Sequence, residues 1–229
     1  PYAQKPWLEQ YDPFVPRSLL YPELNIPQLL ERSATEFPNQ VCLIFAEQKL
    51  SYQQVAELSN KLAKWLLFLG IKRGERVGLI FPNSPQFVLA YFAVLKVGAI
   101  VVAMNPFYKK PELLHIIKEC NIRCVFCMES LFPMLQEIAN EKPINMCIIS
   151  QDEDFREKEW FDDLNFSVLN TQDIKNVHSP FSFRQCLAQD IKNVVLDYSF
   201  SADLPAIFQY SGGTTGVPKP AIGLHRNLV

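Results

Sequence analysis

Ten residues late in the sequence combine the groups that bind polyphosphates. Positions 210–219 read Tyr-Ser-Gly-Gly-Thr-Thr-Gly-Val-Pro-Lys and hold three of the chain's eight glycines. Glycine lets backbone N–H groups turn towards an anion because it has no Cβ, and serine and threonine hydroxyls add further donors. Lys219 would supply a mobile positive charge for the outer phosphates. This composition predicts a phosphate-binding loop, and an ordinary flexible Gly/Thr turn is the alternative.

The position of Lys219 between two prolines excludes the commonest phosphate loop. A Walker A loop places its lysine at the start of a helix. A residue that precedes a proline is instead driven towards extended geometry, so Lys219 should enter a strand. Residues 206–210 are rich in aromatic and β-branched side chains, which favours a strand before the loop as well. We therefore expect a loop that joins two strands.

The stretch resembles the phosphate-binding loop of the AMP-forming adenylate synthetases, the superfamily of acyl-CoA synthetases, luciferases and peptide-synthetase adenylation domains. Their pattern is Tyr-Thr-Ser-Gly-Thr-Thr-Gly-x-Pro-Lys-Gly, from which this chain departs at Ser211, Gly212 and Pro220. The Gly-Gly version is similar to that of bacterial long-chain fatty-acid–CoA ligases. Pro220 removes a backbone N–H and any positive φ at its position. Further similar segments lie at 5–11, 74–77, 82–84 and 98–106.

This resemblance implies an AMP-forming long-chain fatty-acid–CoA ligase. A fatty acid would react with Mg-ATP to give an acyl-adenylate, and coenzyme A would then displace AMP. The resemblance assigns a catalytic role to Lys219, which would neutralise charge on the departing pyrophosphate, and a contact with Mg²⁺ to Thr214. The residues implied to bind the nucleotide are Tyr210, Ser211, Gly212, Gly213, Thr214, Thr215, Gly216 and Lys219.

The length of the chain bears on what it does alone. Members of the superfamily are more than twice as long as these 229 residues, so the resemblance implies an N-terminal portion. The groups that hold Mg²⁺, ribose and adenine, and the C-terminal lysine for adenylation, would follow residue 229. We therefore expect the remainder of the same polypeptide to be required, and the 229-residue piece to be inactive by itself.

The elements that must position the loop alternate between strand and helix over residues 26–150. Short Gly-, Pro- and Asn-containing connections between them are typical of parallel strands with crossover helices. Apolar runs at 100–102 and 147–149 suit strands that are covered on both faces. We expect an α/β fold with a doubly wound, mainly parallel sheet, which by resemblance is the N-terminal part of the acyl-CoA synthetase large domain. Predicted helices span 26–37, 53–69, 84–96, 111–119, 131–140 and 182–190, and predicted strands 41–45, 49–52, 76–81, 99–103, 123–127 and 144–149.

Composition divides the chain into four segments. Residues 1–25 form a proline- and aromatic-rich arm, which should be extended, free of helix and held by its aromatic side chains. Residues 26–150 form the α/β subdomain. Residues 151–180 form an acidic and polar excursion, with seven acidic residues between Asp152 and Asp163, that we interpret as solvated. Residues 181–229 begin the next subdomain and carry the loop.

The cysteines raise a different hypothesis. Cys120, Cys124 and Cys127 have the spacing of the iron–sulfur triplet of radical S-adenosylmethionine enzymes. In a strand, however, Cys124 and Cys127 point to opposite faces and cannot share a cluster. We expect buried, reduced thiols, and keep an iron–sulfur enzyme as a remote alternative. The three histidines have no zinc-ligand spacing, and we expect a structural role for His225 near the site.

Charge and hydropathy limit the partners. A formal net charge of −2 disfavours nucleic acid as a partner. The most apolar span, 87–104, is interrupted by Lys96 and Gly98, which predicts a buried helix and strand rather than a transmembrane helix. No secretory signal is evident, so we expect a cytoplasmic protein, with peripheral contact at the inner face of the membrane left open. A non-catalytic binding or assembly module with the same fold, its loop spoiled by Pro220, is the second interpretation.

Overall fold

The computed structural model describes residues 5–19, 21–151, 154–156, 180–188, 191–211 and 219–229. Most of the described strands form one sheet, in which neighbouring strands are parallel except for the last pair. This arrangement confirms the predicted α/β fold with a mainly parallel sheet. The strands are β3 (Arg76–Ile80), β4 (Ile100–Ala103), β5 (Cys124–Met128), β6 (Met146–Ser150), β7 (Phe181–Ser182), β8 (Pro205–Ser211) and β9 (Lys219–Leu224), in the order β7-β6-β5-β3-β4-β8-β9. A separate antiparallel hairpin joins β1 (Val41–Phe45) and β2 (Gln48–Ser51).

Polar side chains cap the first three helices, and the predicted bounds hold to within two residues where the structure describes them. Asn25 accepts from the Gln28 N–H at 3.1 Å, and Ser51 accepts from the Gln54 N–H at 3.2 Å. The second helix ends at Gly70, which takes the left-handed φ of 83° that glycine adopts readily. The helices are α1 (Ile26–Glu36), α2 (Tyr52–Phe68), α3 (Pro85–Lys96), α4 (Lys110–Glu119), α5 (Phe132–Ala139) and α6 (Phe183–Ala188).

Helices cover both faces of the sheet. One face packs against α1, α2, α3 and α6, and the other packs against α4 and α5. Strand β5 is buried throughout, with Cys124 and Phe126 on the first face and Val125 and Cys127 on the second. Cys124 and Cys127 therefore lie on opposite sides of the sheet, as the strand period requires, and cannot share an iron–sulfur cluster.

The N-terminal arm differs from the prediction in two ways. Residues Pro6–Gln10 form a 3₁₀ helix, although the arm was expected to contain no helix. Proline is tolerated there because Pro6 is the first helical residue, whose N–H would have no helical partner. Burial also does not hold three of the arm's aromatic side chains, since Tyr11 and Tyr21 are exposed and Phe14 is 96% exposed. The four-segment division of the chain stays a prediction.

Two described residues of the acidic excursion are not solvated, although their neighbours Gln151 and Arg156 are exposed. Asp154 and Phe155 are buried, and the Asp154 carboxylate accepts hydrogen bonds from the Ser150 Oγ at 2.6 Å and the Gln151 N–H at 2.9 Å. The Phe155 ring packs edge-on against Phe183. A buried carboxylate is stable here because hydrogen bonds replace its hydration. Residues 157–179, the rest of the predicted excursion, lie outside the described residues.

Candidate phosphate-binding site

A β-hairpin frames the predicted loop. Strand β8 pairs in parallel with β4 through Val101 and Ile207, so the main sheet fixes its position. Strand β9 returns antiparallel to β8, and the last matched pair is Ser211 with Lys219. The predicted loop therefore joins two paired strands, and Lys219 begins a strand rather than a helix, as the sequence predicted. A loop closed between paired residues has both of its ends fixed at one point of the sheet.

The predicted site residues fall into two groups. Tyr210, Ser211 and Lys219 belong to the strands of the hairpin. Lys219 is exposed, and no ion pair joins its side chain to another described residue. The remaining residues predicted to bind the nucleotide lie outside the described residues, and their roles stay predictions. These are Gly212, Gly213, Thr214, Thr215 and Gly216.

Pro220 occupies a position that tolerates proline. It lies in β9 opposite Tyr210, and β9 stands last in the strand order of the described sheet. Proline is accepted in edge strands because such strands have one side without ladder hydrogen bonds, and its fixed φ is compatible with extended geometry. Pro220, which departs from the superfamily pattern, is thus accommodated in the strand that follows the loop.

The side chain of Tyr210 contacts the end of α4. Its hydroxyl donates to the Glu119 Oε2 at 2.8 Å and lies 3.1 Å from the Cys120 Sγ. Burial is the main cause that raises the pKa of Tyr210, and Cys120 and Glu119 raise it further. The phenol is therefore a neutral donor. Its predicted part in nucleotide binding stays a prediction, and its hydroxyl serves a contact within the fold.

His225 connects the segment after β9 to the start of α1. Its side chain is buried, its Nδ1 accepts from the Ile26 N–H at 3.4 Å, and its ring packs 5.2 Å from that of Phe200. Burial lowers the pKa of His225 to about 4, so the imidazole is neutral and acts as an acceptor. These contacts give His225 a structural role, but it follows the end of β9 that is opposite to the loop and does not lie near the site as expected.

Sequence reasoning missed a buried lysine on the helical side of the sheet. Lys96 is fully buried, and its Nζ donates to the Asn60 Oδ1 at 2.6 Å, the Glu31 Oε1 at 2.7 Å and the Ala56 carbonyl at 3.0 Å. The Tyr198 hydroxyl donates to the same Asn60 oxygen at 2.8 Å. The only signal in the sequence was a lysine that ends an apolar helix. The contacts join three helices to the segment that leads into β8.

All six cysteines are free thiols, and all but the half-buried Cys42 are buried. Burial raises the pKa of Cys124 and of Cys186 well above the usual range. The Cys127 and Cys147 sulfurs lie 3.7 Å apart on neighbouring strands and remain thiols. Within the described ranges, no three His, Cys, Asp or Glu side chains are placed to hold a metal ion. Nor is any described helix both long enough and apolar enough to cross a membrane.

Known proteins are similar in sequence to most of this chain. The long-chain-fatty-acid–CoA ligase of Bacillus subtilis strain 168 is 28% identical over 235 residues, which cover 99% of this chain and 41% of that protein. 4-Coumarate–CoA ligase 4 of Arabidopsis thaliana is 29% identical over 180 residues, which cover 79% of this chain and 29% of that protein. The chain therefore spans about two fifths of the length of the fatty-acid ligase that it matches.

Solved structures share the fold. The crystal structure of a long-chain-fatty-acid–CoA ligase from Archaeoglobus fulgidus superposes with a TM-score of 0.71 at 21% identity, covering 94% of this chain and 39% of that chain. The model of the AMP-binding enzyme family matches residues 30–229 and so includes the sheet, its helices and the hairpin. Because this match extends over most of the sequence, the chain belongs to the AMP-binding enzyme family.

Proposed function

We propose that the full-length protein activates a long-chain fatty acid with ATP and transfers the acyl group to coenzyme A. A carboxylate oxygen attacks the α-phosphorus, the bond from that phosphorus to the bridging oxygen breaks, and pyrophosphate leaves. The coenzyme A thiol then attacks the acyl carbon and AMP departs. Family membership supports the first step, and the similarity to fatty-acid–CoA ligases supports the choice of acid and acceptor.

The observation that carries this proposal is the pairing of Ser211 with Lys219 at the loop end of the hairpin. It fixes the entrance and exit of a loop whose backbone N–H groups and hydroxyls suit the β- and γ-phosphates. Lys219 is exposed and has no described ion-pair partner, so its charge is available to the pyrophosphate that leaves. Transfer at phosphorus depends mainly on such positioning and neutralisation of charge.

The donor set of the loop also suits a magnesium ion. Magnesium prefers oxygen ligands and is commonly held by one or two protein groups together with substrate phosphates. The Thr214 hydroxyl is the group that would contact it. When bound, the ion neutralises phosphate charge. Pro220 lies in β9, in the strand that follows the loop. We further propose that the protein acts in the cytoplasm, where ATP and coenzyme A are available.

An ATP–pyrophosphate exchange assay on the full-length protein tests the proposal. Palmitate, 4-coumarate and an amino acid are supplied in parallel, and we expect exchange to depend on palmitate. Exchange supported only by one of the other acids would contradict the substrate, and no exchange with any acid would contradict the activity. Coenzyme A should then convert the adenylate to a thioester, detected by mass spectrometry.

A variant pair tests the role of Lys219. Lys219→Ala should reduce the rate of exchange about 100-fold, because it removes a charge that acts on the departing group. Lys49→Ala is the matched control, since Lys49 is an exposed lysine on β2, away from the β8–β9 hairpin. Equal rates in the two variants would contradict the role assigned to Lys219.

A further inference from the structure

The side chain of Tyr210, in the strand before the loop, is fixed by contacts within the fold. Tyr210 is the penultimate residue of β8, and its neighbour Ser211 forms the pair that closes the hairpin. The ring of Tyr210 is buried in the core on the side of α4, where Met104 and Ile80 belong to the same cluster. The entrance of the loop is therefore coupled to this core through one side chain.

The hydroxyl of that side chain meets two polar groups at the end of α4. It donates to the Glu119 carboxylate at 2.8 Å and lies 3.1 Å from the Cys120 sulfur, about 90 residues away in sequence. A hydrogen bond to a charged acceptor is stronger than one between neutral groups. His115 also approaches Glu119, at 3.5 Å, so the carboxylate faces two polar groups.

The end of α4 is itself held by the sheet. The Arg76 Nε donates to the Cys120 carbonyl at 2.7 Å, and the Cys120 N–H donates to the Ile116 carbonyl within the helix. Because Arg76 is the first residue of β3, the end of α4 that the Tyr210 hydroxyl contacts is connected to the middle of the sheet. If Tyr210 moved, its hydrogen bond to Glu119 would break, because the end of α4 is held in place and could not move with it.

Within the described strands, the hairpin is joined to the rest of the sheet through β8. Strand β9 has β8 as its neighbour in the sheet and lies last in the order of the described strands. Side-chain anchoring on β8 would limit the movement of the pair in which the loop begins. A loop that binds phosphate through its backbone depends on a prearranged geometry, since ordering it on binding would weaken the affinity.

We propose that Tyr210 is a positioning residue for the phosphate loop, held in place through its hydroxyl by Glu119 and Cys120 at the end of α4. The proposal rests on the proposed function, because it takes the loop to bind ATP. The sequence implied that Tyr210 binds the nucleotide directly. In this proposal its hydroxyl acts indirectly instead, by positioning the loop. Tyr210 supports ATP binding without touching the reacting atoms.

Two tyrosine variants of the full-length protein test this role. Tyr210→Phe removes the hydroxyl and keeps the ring. Tyr198→Phe is the matched control, since the Tyr198 hydroxyl also donates one hydrogen bond, to Asn60, but lies outside the hairpin. In ATP–pyrophosphate exchange, Tyr210→Phe should raise the KM for ATP about tenfold and leave the KM for the fatty acid within about twofold. Tyr198→Phe should leave both values within about twofold. An equal KM for ATP in the two variants would overturn the proposal.

The acceptor on α4 supplies a second test. Glu119→Ala should reproduce the effect of Tyr210→Phe, and Glu119→Gln, which keeps an acceptor oxygen, should restore most of the affinity for ATP. The double variant Tyr210→Phe/Glu119→Ala should be no worse than either single variant, because both remove one contact. Fully additive losses would overturn the proposal.

Hydrogen–deuterium exchange separates this proposal from the proposed function. In Tyr210→Phe, amides of residues 205–211 and 219–224 should exchange faster than in the wild type, and in Tyr198→Phe they should not. If the hairpin amides exchange at the same rate in Tyr210→Phe as in the wild type, the positioning role of Tyr210 is overturned, even in an active enzyme. If the wild type catalyses no ATP–pyrophosphate exchange with any acid, the proposed function fails. The rates of amide hydrogen exchange alone then test whether the Tyr210 hydroxyl holds the hairpin in place.

Discussion

The helical layer and the loop hairpin use a lysine in opposite ways. Lys96 is fully buried between α1, α2 and α3, and three oxygens accept from its Nζ. Lys219 is exposed at the end of the hairpin and forms no ion pair with another described residue. The charge of Lys96 is bound by groups of the protein itself, whereas the charge of Lys219 is available to a ligand.

The difference follows from desolvation. Burial lowers the pKa of Lys96, and the hydrogen bond and charge of Glu31 oppose that shift. A buried ammonium is stable only where oxygens replace water, so Lys96 and its acceptors must be kept together. No comparable cost applies to Lys219, which remains hydrated. The same residue type therefore indicates stability in one region and chemistry in the other, and burial decides which.

The largest expected effect comes from Lys96→Met, which keeps the apolar stem and removes the ammonium. We expect a loss of about 3 kcal/mol in the free energy of unfolding, because the Ala56 carbonyl and the Asn60 side chain lose a buried donor. Urea unfolding of the full-length protein measures it. The same substitution at Lys219 is the control and should cost less than about 0.5 kcal/mol. Similar losses at both lysines would remove the contrast.

Catalysis should show the reverse order. Lys219→Met should reduce ATP–pyrophosphate exchange about 100-fold, equivalent to about 2.7 kcal/mol, because the charge near the leaving pyrophosphate is lost. Lys96→Met should change the rate less than threefold, about 0.7 kcal/mol, at a temperature where it remains folded. A large loss of activity in folded Lys96→Met would mean that the two regions are coupled.

Acid should weaken the contact between the hairpin and α1. The pKa of His225 is lowered to about 4 in the folded protein from 6.5, so below pH 6.5 the unfolded chain binds the proton more readily. The contribution of His225 is complete above pH 6.5 and is lost as pH falls towards 4, with an expected cost of about 2 kcal/mol.

The measurement is the free energy of unfolding from pH 7 to pH 4, compared with His225→Phe. The variant keeps an aromatic ring beside Phe200 but cannot titrate, so the titration of carboxylates common to both proteins cancels in the difference. The wild type should lose more stability on acidification. Parallel curves would show that His225 is not kept neutral by burial.

The smallest expected effect distinguishes two capping residues. Asn25 caps α1 and also donates from its Nδ2 to the Tyr198 and Phe200 carbonyls, at 2.8 and 3.0 Å. Ser51 caps α2 alone. Ser51→Ala should cost about 1 kcal/mol, and Asn25→Ala should cost about 1 kcal/mol more, because two buried acceptors lose their donor. Equal melting temperatures would mean that the segment before β8 needs no polar anchoring.

Much of the fold was predictable because it depends on local patterns. Capping residues, prolines and apolar periodicity located the helices and strands to within two residues. The prolines beside Lys219 predicted a strand after the loop, and the register of β8 with β9 confirmed it. The arm and Asp154 were mispredicted, because proline at a first helical position and a carboxylate inside a hydrogen-bonded turn are exceptions set by their contacts.

The sequence by itself determined the elements, the alternation that separates Cys124 from Cys127, and the glycine- and hydroxyl-rich composition of the loop. Only the tertiary structure decided that Lys96 is neutralised by Glu31 and that the Tyr210 hydroxyl meets Glu119, since these partners lie 65 and 91 residues apart. Local propensities act over a few residues along the chain. Contacts between distant residues depend on the order of strands in the sheet and on which face each helix covers.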